Sequence, residues 1–205
     1  MAVVIIAAIL LFDQLVKCWV KTHMSIGETA FEWNALGVTW FRMTFLENNG
    51  AAGGLQLFGS KLFLSVVRLI AIVLVGYYMW LLTKREQVSR GFFFSLALIL
   101  AGAAGNLIDC MFYGLCFDAS TVGNVSQFVG LGNGYESFLM GRVVDMFYFP
   151  LIVTTYPDWF PIYGGEEFIF FSPVFNFADS SISVGVVALL LFFRKEIGQI
   201  SFGKK

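Results

Sequence analysis

The stretch FNFADSSISVGVVALLLFFRK, residues 175–195, decides how the rest of the chain is read. From Phe177 onward it is apolar enough to enter a bilayer, yet Asp179 stands just inside its opening. An ionisable group in a span is costly, usually faces the bundle interior and marks a functional site by default. At a helix start the exposed N–H groups favour an anion, which gives Asp179 a local reason to be there. Whatever else answers it must come from another part of the chain.

The composition agrees with a membrane reading. Of 205 residues, 58% are hydrophobic and 13% charged, where a soluble domain carries about 25% charged residues. The 24 Phe and 5 Trp suit a surface that meets lipid and an aromatic interfacial belt. A helix needs about 20 mostly apolar residues to cross the hydrocarbon core. Four stretches qualify, near 2–20, 62–83, 91–113 and 177–193, the last of them short. The expected fold is an all-α membrane bundle of four transmembrane helices with a small extracytoplasmic β/loop elaboration, in one domain over 1–205. The first run has no basic leader and no small-residue cleavage site, and Asp13 and Lys17 interrupt it. It is therefore expected to be a span and not a removable signal peptide.

Charge sets the orientation. Lys84, Arg85 and Arg90 separate the second and third spans, and Arg194, Lys195, Lys204 and Lys205 follow the fourth. The positive-inside rule puts both groups, and with them both termini, on the cytoplasmic side. The loops 22–61 and 114–176 then lie outside; the second carries six acids against one base, Arg142. GVTWFRMTFLE (37–47) has the composition of a strand, and the second loop reads as short strands and interfacial loops broken by prolines.

On this topology the awkward polar residues share one depth near the outer interface. They are Asp13 and Lys17 on the first span, Asn106 and Asp109 on the third, and Asn176 and Asp179 on the fourth. The i,i+4 spacing of Asp13 and Lys17, and the i,i+3 spacing of Asn106 and Asp109, put each pair on one helical face. AGAAG (101–105) offers Gly102 and Gly105 for close approach of another helix. Any one of these residues could snorkel or form a structural pair; three spans converging at one level point to a site. Arg68, near the outer end of the second span, reads more simply as a snorkelling residue or a structural ion pair.

Several chemistries are excluded. His23 is the only histidine, and HExxH, GxSxG and Walker motifs are absent. Cys18, Cys110 and Cys116 form no CxxC pair, so neither a zinc signature nor a disulfide framework is present. The net charge of -1 without a basic stripe argues against nucleic acid, and no cofactor or metal is expected. GLGNG (130–134) reads as a turn, and the sequon at 124–126 as a chance match. Carboxylate chemistry remains. GRVVDMFYF (141–149) carries Asp145 in an apolar, strand-like run. Two carboxylates brought together share a proton; one can then act as base on a water while the other polarises a carbonyl. A small transporter or channel is the rival reading, but it needs polar residues through the whole bilayer depth, and the inner halves of the spans are apolar. A helix-packing partner without chemistry is a third.

Five segments sharpen the choice. DQLVK (13–17), NNGAAGG (48–54), GAAGNLID (102–109), GRVVDM (141–146) and FNFADSSI (175–182) resemble, in order, the motifs of the lipoprotein signal peptidases (signal peptidase II), four-span aspartic peptidases of the bacterial inner membrane. The resemblance implies Asp145 and Asp179 as a catalytic dyad. Asp13, Lys17, Asn48, Gly50, Asn106, Asp109 and Asn176 would be its supporting polar shell. It implies diacylglyceryl-modified prolipoproteins as substrates, cut before the lipidated cysteine at the outer leaflet. Contact with membrane lipid and sensitivity to globomycin-type inhibitors are further expectations.

Two departures stand out. The family has Arg after Asp109 where this chain has Cys110, so Arg142 or Arg68 is expected to supply the charge. Insertions near 116–140 and 150–173 lengthen the outer loop; they could cover the site, select substrates or be tolerated surface loops.

Overall fold

A computed structural model describes residues 2–35, 38–49, 61–85, 88–150, 152–171 and 173–198. The long apolar runs become helices: α1 (Ala2–His23), α2 (Lys61–Leu82) and α3 (Arg90–Ile108). Ser89 starts α3 by accepting a hydrogen bond from the N–H of Phe92. The helix then loosens into a π-helical turn (Asp109–Tyr113) before a last short helix, α4 (Gly114–Cys116). The third apolar run is thus continuous, as expected, but its backbone widens at Asp109. Near the C-terminus come α5 (Phe177–Phe192) and α6 (Arg194–Gly198).

Among the described residues, three helical runs are long and apolar enough to cross a membrane: Ala2–His23, Lys61–Leu82 and Arg90–Cys116. α5 has 16 residues, which at 1.5 Å each reach ~24 Å, short of a ~30 Å hydrocarbon core. Val73 and Leu74 on α2, with Leu190, Leu191 and Phe192 on α5, point outward without protein cover. The molecule is therefore a bundle of three to four apolar helices carrying small β-sheets.

The strand-like segments pair as strands. β1 (Thr29–Ala35), β2 (Val38–Asn48) and β3 (Val143–Tyr148) form an antiparallel sheet in that order, and β4 (Ile152–Thr155) and β5 (Glu167–Phe170) make a separate hairpin. In the β2–β3 register, Asn48 faces Val143 and Leu46 faces Asp145. One further bridge decides the site. Phe147 and Phe175 exchange backbone hydrogen bonds of 2.7 and 2.9 Å, so the first residues of α5 start beside β3.

Small residues set the helix spacing. A Cβ added to Gly185 would lie 2.6 Å from the Ser95 carbonyl oxygen and 2.7 Å from Ile99 Cγ1. One added to Gly102 would lie 2.7 Å from Ile182 Cγ1 and collide with the Ala178 carbonyl. α3 and α5 therefore touch backbone to backbone. Two apolar clusters bracket the bundle. One holds Met79, Leu82, Phe92, Leu96 and Ala97; the other holds Val20, Met24, Phe45, Tyr113, Phe117, Val144 and Met146. The buried Asp13, Lys17, Asn106, Asp109, Asp145 and Asn176 gather apart from these clusters.

Gly102→Ala and Gly185→Ala are expected to cost roughly 1–3 kcal/mol each through overpacking. Gly76→Ala has open space around it and should gain up to ~1 kcal/mol of helix propensity. Thermal melts of the three variants in one detergent check the contrast.

Candidate active site

Lys17 lies at the centre of the polar layer and is 0% exposed. Its ammonium meets Asp13 Oδ2 at 2.9 Å, Asp109 Oδ2 at 2.8 Å and Asn106 Oδ1 at 2.9 Å. A buried ammonium is tolerated only when its donors are matched in this way. Asp13 reaches further: its Oδ1 accepts the N–H of Ala178 at 2.9 Å, in the first turn of α5. A carboxylate there complements the positive end of the helix. Asp109 Oδ2 also accepts the Val144 N–H at 3.3 Å. The π-helical turn leaves the Cys110 carbonyl to accept from Gly141 N at 2.8 Å. The strand bearing Asp145 is thus fastened to α3 on both sides of Arg142.

Asn176 joins the two acids of interest. It is the N-cap of α5: its Oδ1 accepts the Asp179 N–H at 2.9 Å, and Asp179 returns a bond to the Asn176 N–H. Its Nδ2 donates to Asp145 Oδ1 at 2.7 Å and to Asn106 Oδ1 at 3.1 Å. Asn106 in turn donates from Nδ2 to Asp179 Oδ1 at 2.7 Å. Two carboxamides therefore hold two carboxylates from strand and helix, one wired to Lys17. Asp145 is buried, while Asp179 is half-buried and keeps an open side. Burial lifts the Asp145 pKa from the ordinary carboxylate range to about 7, and the charge of Asp179 pushes the same way. Hydrogen bonds from Asn176 and Asn48 and the charge of Lys17 oppose the rise.

Asp13, Lys17, Asn48, Asn106, Asp109, Asp145, Asn176 and Asp179 thus converge; Gly50 lies outside the described residues. Arg142 turns instead toward the outer sheet. Its guanidinium bonds Glu47 Oε2 at 3.1 Å and packs on the Tyr135 ring. Arg68 behaves differently: from α2 its Nη1 donates to Cys110 Sγ at 3.3 Å. A guanidinium from another helix thus arrives beside Cys110. Sequence reasoning missed Gln14, which donates to Asp109 Oδ1 at 2.9 Å and to Gly105 O at 3.2 Å. The signal was its place beside Asp13 in an apolar run. It also missed Lys21 and Glu47, a buried ion pair at 2.5 Å.

The fold and its buried acids are those of a membrane protein, and sequence relatives identify the family. The model of the signal peptidase (SPase) II family matches residues 5–194, and the chain belongs to that family of proteases. It is 45% identical over 201 residues to a lipoprotein signal peptidase of Porphyromonas gingivalis, covering 98% of this chain and 86% of that one. A lipoprotein signal peptidase of Amoebophilus asiaticus is 36% identical, covering 91% of this chain and 75% of its own length. The fold is similar to that of a bacterial membrane enzyme solved by the in meso method at 2.3 Å resolution, with a TM-score of 0.62 and 24% identity over 100% of this chain and 93% of that one.

Removing the central cation should be among the most damaging single changes. Lys17→Met leaves Asp13 and Asp109 buried without their counter-charge and is expected to cost about 3–5 kcal/mol. A large fall in the melting temperature in detergent is the expected readout.

Proposed function

We propose that this chain removes signal peptides from prolipoproteins, hydrolysing the bond before a diacylglyceryl-modified cysteine with a dyad of Asp145 and Asp179. One observation carries the reading: Asn176 binds Asp145 with its amide nitrogen and caps Asp179 with its amide oxygen. Such neighbours share one proton. The buried Asp145, with its pKa lifted to about 7, is assigned as the proton holder, and the more open Asp179 as the base on the water.

In this scheme Asp179 takes a proton from a water as the oxygen attacks the scissile carbonyl carbon. Protonated Asp145 hydrogen-bonds the carbonyl oxygen and hands over its proton as negative charge develops there. The tetrahedral intermediate then collapses: the C–N bond breaks, the proton on Asp179 passes to the leaving amine of the lipidated cysteine, and the hydroxyl proton returns to Asp145. Asn106 and Asn176 fix both carboxylates, so little reorganisation accompanies the transfer. The remaining polar residues, with Arg142 the outermost and Gly50 next in line after Asn48 and Asn49, are assigned to support or to substrate contact. Arg68 is assigned the charge that the family places after Asp109.

The whole chain acts as one peptidase domain, with α5, extended by α6, as the fourth span. Both termini are cytoplasmic, and the acids lie near the outer leaflet of the bacterial inner membrane. The substrate's acyl chains would stay in the lipid and hold the scissile bond at that depth, where water can reach it. A globomycin-type inhibitor would compete with substrate at the same acids. A transport path is not favoured, since Met79, Leu82, Phe92, Leu96 and Ala97 close one end of the bundle with apolar side chains.

Asp145→Asn and Asp179→Asn are each expected to lower cleavage of a lipidated prolipoprotein by at least ~10²-fold, with melting temperature retained. Either variant cleaving at the parent rate removes the dyad. Purified protein should cut the lipidated precursor and spare its unlipidated form. The rate should fall as pH rises through about 7, because Asp145 then loses the proton it must donate. A pH–rate profile with saturating substrate checks that limb.

A further inference from the structure

We infer that Glu47 is a positioning residue for the reaction, holding Asn48 against Asp145, and that the 116–140 insertion is the brace that keeps it there. The inference rests on the assignment of Asp145 as one of the two catalytic acids.

The geometry is local and closed. Glu47 has a side chain 2% exposed, and three groups meet its carboxylate. They are Lys21 Nζ at 2.5 Å, Ser120 Oγ at 3.1 Å and Arg142 Nη1 at 3.1 Å. Lys21 Nζ also donates to Ser120 Oγ at 2.9 Å. The ammonium of Lys21 lies 5.6 Å from the Phe117 ring centre and 5.1 Å from that of Tyr135, close enough for cation–π attraction. The Tyr135 hydroxyl accepts the Arg142 N–H at 2.6 Å. Phe117, Ser120 and Tyr135 all belong to the insertion. The segment thus wraps an ion pair formed between α1 and β2 and fastens it to the start of β3.

This pair stands beside the dyad in a specific way. Glu47 is the neighbour of Asn48 on β2, and adjacent strand residues point to opposite faces. Anchoring Glu47 on one face therefore sets where Asn48 stands on the other, and Asn48 hydrogen-bonds Asp145. Arg142 lies three residues before Asp145 on the paired segment. The brace thus grips both chains that flank the buried acid. Lys21 follows Lys17 by one helical turn, so one face of α1 sets the separation between the polar layer and the brace. A buried ion pair is a weak source of net stability compared with apolar packing, which leaves position as its contribution.

The test exploits a difference in sign. Charged and titratable groups around Glu47 are Lys21 on α1, Arg142 before β3, Tyr135 and Asp118 in the insertion, and Lys61 at the start of α2. Around Asp145 they are Asp179 and Lys17, with Asp109 on the neighbouring Val144 N–H. If Glu47 acted only through its charge, Glu47→Gln would leave excess positive charge and move the alkaline limb of the pH–rate profile to lower pH. If it acts by holding Asn48, the Asp145 carboxylate loses a hydrogen bond that favours ionisation, and the limb moves to higher pH.

The experiment compares Glu47→Gln, Asn48→Ala and the double variant on a lipidated prolipoprotein. The expected result is a kcat about tenfold lower for Glu47→Gln, with KM within about twofold of the parent and the alkaline limb shifted upward. The double variant should be no slower than Asn48→Ala alone, since coupled residues are not additive. Additive losses, or a downward shift of the limb, overturn the proposal. Should Glu47→Gln fail to fold, Ser120→Ala and Ser120→Ala with Asn48→Ala replace it. A kcat loss from Ser120→Ala that vanishes in the Asn48→Ala background supports the brace, and one that persists there, or no loss at all, overturns it. Asp145→Asn run alongside separates the two readings: if it cleaves normally the dyad has failed, whereas an inactive Asp145→Asn with additive brace variants removes only the brace.

Discussion

The ammonium of Lys17 is a full positive charge with no exposure to water, and the bundle is arranged around that fact. Three oxygens from two helices meet it, and neither α1 nor α3 can shift without leaving a buried ion unmatched. Asp13 extends the constraint to α5 by capping its first turn. Asp109 extends it to β3 through the Val144 N–H. One cation thereby registers three helices and a strand, although its own net contribution to stability is small once desolvation is counted. What it supplies is a single allowed alignment.

Given that alignment, the meeting of Asp145 and Asp179 follows from two backbone devices. The π-helical turn at 109–113 loosens the end of α3, and the Cys110 carbonyl there takes the Gly141 N–H at the approach to β3. The Phe147–Phe175 bridge then places the N-cap of α5 against the same strand. Helix widenings of this kind recur at functional sites. Here the widening makes room for the strand without breaking the apolar run that contains it. The close α3–α5 contact, made possible by Gly102 and Gly185, brings Asn106 within reach of Asp179.

The electrostatics divide the work between two layers. Around Lys17, charges are matched and static. At Asp145 and Asp179 carboxamides stand in place of cations, and burial lifts the Asp145 pKa to about 7. Lys17 is wired to the proposed dyad through Asn106, and its charge offsets part of the rise that burial imposes on Asp145. The outer polar cluster of Lys21, Glu47 and Arg142 belongs with the first kind, its charges matched, and adjoins the second through β2 and the segment that enters β3.

Much of this was legible in the chain itself. Apolar runs of the right length gave the helices, because the cost of exposing backbone polar groups in lipid leaves few alternatives. The residues Asp13, Lys17, Asn106, Asp109, Asn176 and Asp179 stood out because charge and carboxamide are expensive in such runs. The two glycines of 102–105 foretold a close helix contact. Arg142 and Arg68 could not be told apart, since the choice depends on which guanidinium lies across from Cys110, a matter of helix packing. Gln14 and the Lys21–Glu47 pair were passed over because a polar residue near an apolar run's end reads equally well as solvated. Sequence determined which groups had to be buried in partnership. Tertiary structure alone decided who partners whom, because distances between residues some 30 to 165 positions apart are set by helix contacts and strand register, which no local spacing encodes.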